Sequence, residues 1–304
     1  METQLKVGIT GASGFVGQAV VEALGRAGHK CIGFSRSPER GVKGCAETRR
    51  FRAGEPLNVQ GLDAVVHLAG ESIMGLSTAK KLRRILDSRR TGTRAVVDAI
   101  LAAGANGPKT LVSASAVGYY GDTGEQIADE SSPAGSGFLA EVAKVWESQA
   151  HRAETGGLRV AILRLGVVLG EGGGIVKALK PVFRLGLGAT LGSGRQWVSW
   201  VDVRDAARLV VFVVENPQAR GVFNATSPVP LRNSDFTWAL GRRFHRRAVF
   251  VAPSWLLKLA FGPLSGLFLD SQRVAPRRAE ALGFEFEHRG VWEQPMSGSR
   301  QKLD

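Results

Sequence analysis

Gly11-Ala12-Ser13-Gly14-Phe15-Val16-Gly17 stands between an apolar run, Leu5 to Thr10, and an amphipathic stretch, Gly14 to Ala27. A short apolar run rich in branched residues suits a buried strand, and a 3.6-residue apolar period suits a helix laid upon it. Glycines at this spacing permit a tight turn, close approach of the backbone to a pyrophosphate, and tight packing of helix on strand. A strand, such a turn and a helix make the first half of a right-handed crossover, which commits the chain to a parallel sheet.

The alternation continues along the chain. Lys30 to Phe34 and Ala64 to Leu68 read as strands, Ala79 to Ala103 as a long helix, Thr110 to Ser115 as a strand and Leu139 to Glu154 as a helix. Arg159 to Leu163 reads as a strand, Asp202 to Val214 as a helix and Gly221 to Asn224 as a short strand, with Gly172-Gly173-Gly174 and Gly186 to Gly194 punctuating the interval. The expected class is α/β, a doubly wound parallel sheet covered by helices on both faces. From Thr226 the composition turns to Arg, Pro and Trp. We therefore expect a dinucleotide-type domain over residues 1–225, with inserted substrate-side segments, and a small C-terminal domain over 226–304.

Composition narrows the class further. With 304 residues, 44% hydrophobic and 22% charged, the chain can bury a sizeable core and is not disordered. Two cysteines, Cys31 and Cys45, and five scattered histidines supply neither a disulfide framework nor a zinc motif, so a reduced, metal-free, cytoplasmic protein is expected. Met1-Glu2-Thr3-Gln4 leads straight into the first strand without the pattern of a signal peptide. Trp255 to Leu269, the most apolar late segment, is interrupted by Lys258, Gly262, Pro263 and Gly266, and reads as a core helix and turn rather than a membrane span. The net charge of +13 comes from 40 Lys and Arg against 27 Asp and Glu, densest at Lys80-Lys81, Arg83-Arg84 and Arg89-Arg90, then at Arg242-Arg243, Arg246-Arg247 and Arg277-Arg278. No stacking aromatics are interleaved with the first cluster and no nucleic-acid motif is present, so a solvated basic face is expected there. The expected partner is a small molecule, with no nucleic acid and no membrane insertion; the sequence leaves the oligomeric state open.

A ribose 2′-hydroxyl calls for Asp or Glu at the end of the second strand, ~20 residues past the turn, whereas a 2′-phosphate calls for a cation. The chain has Ser35-Arg36 there, and a guanidinium can pair with a phosphate through two hydrogen bonds. Further motifs follow in order: His67-Leu68-Ala69-Gly70 after the third expected strand, Ser113-Ala114-Ser115-Ala116-Val117-Gly118-Tyr119-Tyr120-Gly121-Asp122 after the fourth, and Arg164-Leu165-Gly166-Val167-Val168-Leu169-Gly170. With Gly192-Ser193-Gly194-Arg195-Gln196-Trp197 and Gly221-Val222-Phe223-Asn224, this set resembles the extended short-chain dehydrogenase/reductase superfamily. Ala69-Gly70-Glu71-Ser72-Ile73, the doubled tyrosine and Ser271-Gln272-Arg273-Val274 resemble its sugar-nucleotide epimerase branch, whose members are often labelled cell-division-inhibitor-like. The resemblance covers residues 5 to about 288. It implies a Rossmann-like domain and bound NADP(H), held by Gly11, Ser13, Gly14, Phe15, Val16, Gly17, Ser35, Arg36, Leu68, Ala69, Gly70, Glu71, Arg89 and Ser113.

The departures from that pattern bear on catalysis. The superfamily's Tyr-x-x-x-Lys pair belongs near residue 140, but Ala140 stands four positions before Lys144 and no Tyr follows Tyr120. Arg89 stands where relatives often place Asn, and Val198-Ser199-Trp200 replaces an Arg-Asp-Phe common in nucleotide-sugar enzymes. The remaining catalytic candidates are Ser115, Tyr119 and Tyr120, at the carboxyl end of a strand, where open α/β sheets bind ligands. A tyrosine acting as a base near pH 7 needs a cation beside it, and Arg89 and Lys144 are the candidates. Glu71 fits a base, a ligand of the cofactor loop or a capping carboxylate equally well, and Arg195, Trp197 and Trp200 are candidates for the substrate-side wall. The expected function is that of an NADP(H)-dependent oxidoreductase or epimerase-like protein acting on a small carbonyl or sugar-type substrate. The alternative is an NADPH-binding sensor or scaffold without turnover.

Overall fold

The computed structural model describes residues 4–52, 55 and 57–291. Residues 1–3 and 292–304, at the outer ends of the two expected domains, lie outside the described residues, as does the Met1-Glu2-Thr3 start. Strands β1 (Lys6–Thr10), β2 (Lys30–Ser35), β3 (Glu47–Arg50), β4 (Ala64–His67), β5 (Thr110–Ala116), β6 (Ile127–Ala128), β7 (Arg159–Leu165) and β8 (Val167–Leu169) are followed by β9 (Ala189–Leu191), β10 (Trp197–Val198), β11 (Trp200–Asp202), β12 (Gly221–Ala225), β13 (Leu231–Arg232), β14 (Phe250–Ala252) and β15 (Arg273–Val274). The helices are α1 (Phe15–Arg26), α2 (Ala79–Ala103), α3 (Phe138–His151), α4 (Gly174–Arg184), α5 (Val203–Glu215), α6 (Asn233–Arg243), α7 (Ser254–Phe261), α8 (Gly266–Leu269) and α9 (Arg277–Ala281).

Seven strands form one parallel sheet in the order β12-β7-β5-β4-β1-β2-β3. The sheet is covered on both faces, which explains why its strands read as near-continuous apolar runs rather than as alternations. Val7 and Ile9 of β1 meet Val20 and Leu24 of α1 and Val210 and Val213 of α5 in one core layer. Val65 of β4 and Leu111 of β5 meet Val96, Val97 and Ile100 of α2 in the other. Because the strands are parallel, their carboxyl ends share one edge of the sheet. The chain runs outward from β1 to β2 on one side and to β4 on the other, so the crevice of the strand-order reversal opens over β1 and β4.

The structure departs from the sequence expectation in several places. β3 is an additional strand of charged residues, Glu47-Thr48-Arg49-Arg50, with no apolar face to announce it; it is held by pairing along β2. β5 runs on to Ala116 and then tightens into a 3-10 turn over Val117–Tyr120. The glycine-punctuated interval contains α4, which starts at Gly174 and carries Pro181 in its third turn. The segment from Trp255 does form a helix and turn, but it is not a core helix: Leu257 and Leu264 are buried while Trp255 and Leu259 are 67% and 78% exposed. No described helix is long and apolar enough to cross a membrane.

Candidate functional site

The turn between β1 and α1 is built so that two of its positions, Gly11 and Gly17, tolerate no side chain. Gly11 has φ +72°, and a Cβ there would lie 3.0 Å from the Ala69 backbone nitrogen of the adjoining loop. A Cβ on Gly17 would fall 2.1 Å from the Gly11 carbonyl oxygen, so α1 can sit this close to the turn only with glycine at that position. Gly14 is the N-cap of α1, and no side chain caps that end. The first helical turn therefore presents backbone N–H groups and the positive end of the helix dipole to whatever occupies the crevice.

A cleft of about 710 Å³ opens there. It is lined by Gly11, Ser13 and Gly14 from the turn, Ser35 and Arg36 from the end of β2, and Leu68, Ala69, Gly70 and Glu71 after β4. Its volume lies in the range of about 300 to 1,000 Å³ typical of small-molecule sites. Phe15, Val16, Gly17, Arg89 and Ser113 do not line it. Phe15 packs against Gly170, Gly173 and Gly174, where added Cβ atoms would come within 3.2 Å of its ring. Val16 packs against the core layer of α1 and α5. Ser113 is fully buried in β5, its hydroxyl donating to the Ala114 carbonyl at 3.2 Å. Arg89 is buried inside α2, donating to the Glu71 carbonyl oxygen and, at 3.0 Å, to Ser88 Oγ, so it holds the Gly70–Glu71 backbone from behind.

Arg40 and Arg52 join Arg36 in the cleft, with Ser37, Gly41 and Phe51, and the sequence reading missed them. Arg40 follows from the 3-10 turn Pro38–Arg40, which swings it back toward the end of β2. Arg52 follows from β3, the strand the periodicity did not announce. Among the described residues the guanidinium groups of Arg36 and Arg40 have no hydrogen-bond or ion-pair partner. No acid occupies the end of β2. This donor set fits a nucleotide with a 2′-phosphate better than one with a free 2′-hydroxyl.

Glu71 is not free to act as a base. Lys81 Nζ and Arg84 Nη2 both approach its Oε1 at 2.9 Å, and the Lys81 hydrogen bond, foremost, holds its carboxyl below the usual range. Part of the basic cluster on α2 thus fixes the loop after β4, while Lys80, Arg83 and Arg90 remain on the exposed face.

Behind the loop stands His67, fully buried between Thr10 Oγ1, 2.7 Å from Nδ1, and Thr93 Oγ1, 3.1 Å from Nε2. The backbone N–H groups of Leu68 and Ala69 donate to the same Thr10 oxygen at 3.2 and 3.3 Å, so a neutral imidazole accepting at Nδ1 fixes the loop. Burial, and then the Arg89 cation, bring the His67 pKa down to about 4. Between the unfolded value near 6.5 and that value the unfolded chain takes up a proton that the folded chain refuses, so stability falls as pH falls through this window. The expected loss is about 3 kcal/mol. Urea midpoints at pH 7 and pH 4.5 should show it, and His67→Asn should flatten the difference by that amount; an equally steep His67→Asn would show that other groups carry the acid sensitivity.

None of the hydroxyls at the end of β5 is among the side chains lining the cleft. Ser115 Oγ donates to Glu147 Oε1 at 2.6 Å. Arg164 on β7 pairs with both oxygens of Glu147 at 2.8 Å and donates to the Tyr120 hydroxyl at 2.8 Å, which in turn donates to Asn224 Oδ1 at 2.8 Å. Burial pushes the Tyr120 pKa up to about 12 although Arg164 and Asn224 pull the other way. Arg164 lies above its usual value because, against its burial, Glu147 and Tyr120 favour the cation. Tyr119 is only partly buried, its ring 5.4 Å from that of Tyr120, with the Arg164 guanidinium 3.4 Å from its centroid. Its hydroxyl has no partner among the described residues. The cation beside the tyrosines is therefore Arg164 and neither Arg89 nor Lys144; Arg89 lies over Trp146 and Lys144 pairs with Glu141 on the surface of α3. Ala140, where the superfamily has tyrosine, is fully buried.

A second, smaller pocket lies at the same edge of the sheet, with Trp197 on its wall. Trp200 is buried, its indole N–H donating to the Val229 carbonyl at 2.9 Å, and Arg195 is exposed.

Comparison with known proteins is consistent with this geometry. Residues 7–225 match the model of the NAD dependent epimerase/dehydratase family, and residues 252–291 match a domain of unknown function, DUF1731. The chain is 37% identical over 290 residues to the epimerase family protein Mb2239 of Mycobacterium bovis, covering 94% of this chain and 95% of that protein. It is 38% identical over 301 residues to the chloroplastic SDR39U1 homolog of Arabidopsis thaliana, covering 95% and 85%. Among solved structures, the human epimerase family protein SDR39U1 with NADPH superimposes with a TM-score of 0.84 at 30% identity, covering 94% of this chain and 96% of that one.

Proposed function

The chain belongs to the NAD dependent epimerase/dehydratase family, and from that premise we propose that it binds NADPH in the cleft over β1 and β4 and reduces a small carbonyl compound. The observation that carries the cofactor choice is the unpartnered pair Arg36 and Arg40 beside the glycine turn, with no acid at the end of β2. NADPH is also the ligand of the human relative SDR39U1. Gly11, Ser13 and Gly14 would hold the pyrophosphate against the N-terminus of α1, Arg36 and Arg40 the 2′-phosphate, and the Leu68–Glu71 backbone the far wall. When bound, NADPH would supply hydride chemistry at a carbonyl carbon. A proton must reach the carbonyl oxygen, and of the three hydroxyls proposed for catalysis only that of Tyr119 is unspent. The Arg164 guanidinium lies against its ring face and fixes the ring's orientation. On this reading residues 1–225 hold the cofactor and contribute inserted substrate-side segments, and the described part of the C-terminal domain, residues 226–291, helps to close the substrate side.

A second reading, an NADPH-binding sensor without turnover, is favoured by one observation. Ser115 and Tyr120 are both consumed in the buried network around Arg164 and Glu147. Calorimetric titration with NADPH and NADH, followed by a carbonyl screen with NADPH, separates the readings. Tighter NADPH binding with turnover that falls at least tenfold in Tyr119→Phe supports the enzyme; tight NADPH binding with no turnover supports the sensor; equal affinities sink both.

A further inference from the structure

The second pocket has a volume of about 150 Å³ and a wall unlike that of the cofactor cleft. Met74, Val167, Leu179, Phe183, Ala189 and Phe236 typify its lining, and among the described residues no Arg, Lys or His contributes to it. Val167 lies two residues past the carboxyl end of β7, and Met74 three residues past Glu71 of the cleft, so the pocket opens at the edge of the sheet where the cofactor lies in the reading above.

Resting on that reading, we propose that this pocket takes an uncharged, apolar carbonyl compound the size of a single ring or short branched chain, and not a nucleotide sugar. Two phosphates entering it would find no cation to replace their hydration, and desolvating an unpaired anion is prohibitive. The only titratable side chain on its wall among the described residues is Asp270, itself near Asp122, which would repel them. Two arginines beside Trp197 on its wall are already engaged. Arg232 lies 3.8 Å and Arg273 4.7 Å from the Trp197 ring centroid, and Arg232 is held by both oxygens of Glu125 at 2.8 Å, with the Trp197 indole N–H donating to the same carboxylate.

Two polar side-chain groups in the wall are engaged. Asn233 Oδ1 accepts the Leu191 N–H at 2.9 Å, and the Ser199 hydroxyl donates to the Gln272 carbonyl at 2.8 Å. Any sugar hydroxyl left facing the apolar part of the wall would go without a partner, at a cost of ~1 to 3 kcal/mol. Apolar cavities of about 150 Å³ do accept molecules the size of benzene.

The test titrates the full chain, with and without NADPH, against benzyl alcohol, cyclohexanone and UDP-glucose, read by tryptophan fluorescence and by thermal melting. Two variants that fill the pocket from different sides, Ala189→Trp and Ile175→Phe, are compared with the parent, and their retained NADPH affinity reports that they fold. The expected result is that the one-ring probes bind the parent and lose at least tenfold in affinity in both variants, while UDP-glucose does not bind. Binding of UDP-glucose without the one-ring probes overturns the proposal, as does equal binding of those probes to parent and filled variants. Probe binding that the variants abolish, in a protein that fails to bind NADPH, supports the pocket assignment and overturns the cofactor reading alone.

Discussion

Glu147→Ala is expected to cost about 3 to 5 kcal/mol of stability, the usual price of stranding a buried charge. Glu147 and Arg164 have side chains only 7% and 4% exposed, and the carboxylate is the bidentate acceptor for the guanidinium as well as the acceptor for Ser115. Removing it leaves Arg164 in the core with only Tyr120 as a hydrogen-bond acceptor. The melting temperature should fall by roughly 10 °C for a chain of this size. Replacing both partners, Glu147→Leu with Arg164→Met, should recover much of the loss, since no charge is then left unpaired. Denaturant midpoints of the two proteins against the parent decide it. A Glu147→Ala protein within about 1 kcal/mol of the parent would mean that water reaches Arg164 and that the network is not a dry one.

The second large effect concerns the cofactor. Arg36→Ala combined with Arg40→Ala should weaken NADPH binding by at least about 100-fold, since each charge-assisted hydrogen bond to a phosphate contributes ~1.5 to 3 kcal/mol and 1.4 kcal/mol is tenfold. NADH, which lacks the 2′-phosphate, should bind the variant and the parent alike. Isothermal titration with both dinucleotides measures the difference directly. If the two affinities fall together, the arginines contribute only general positive potential, and some other group reads the 2′-position.

Local pattern was enough for the elements that carry long apolar periods. The strand-turn-helix from Lys6 to Arg26, the long helix α2 and the buried strands β5 and β7 are legible because each buries a face whose spacing is fixed by its own geometry. The same holds for much of the cleft: Gly11, Ser13, Gly14, Ser35, Arg36 and Leu68 to Glu71 lie at strand ends and in turns that the periodicity locates. β3 was not legible, because Glu47-Thr48-Arg49-Arg50 has no apolar alternation and forms only by pairing along β2. Arg52 entered the cleft unannounced for the same reason.

What the sequence determined by itself was the parallel α/β class, the dinucleotide turn, the cation at the end of β2 and the absence of a Tyr-x-x-x-Lys pair. These are properties of residues near one another in the chain, where backbone geometry alone converts spacing into position. Tertiary structure alone decided which hydroxyls are free. Glu147 and Arg164 belong to different elements and meet only because α3 packs on the sheet beside β7. Asn224, far along the chain on β12, becomes the partner of Tyr120 only through the strand order β12-β7-β5. The hydrogen bonds that spend Ser115 and Tyr120, and leave Tyr119 unspent, follow from that order and from the exclusion of water around a buried ion pair, and neither is written in local spacing.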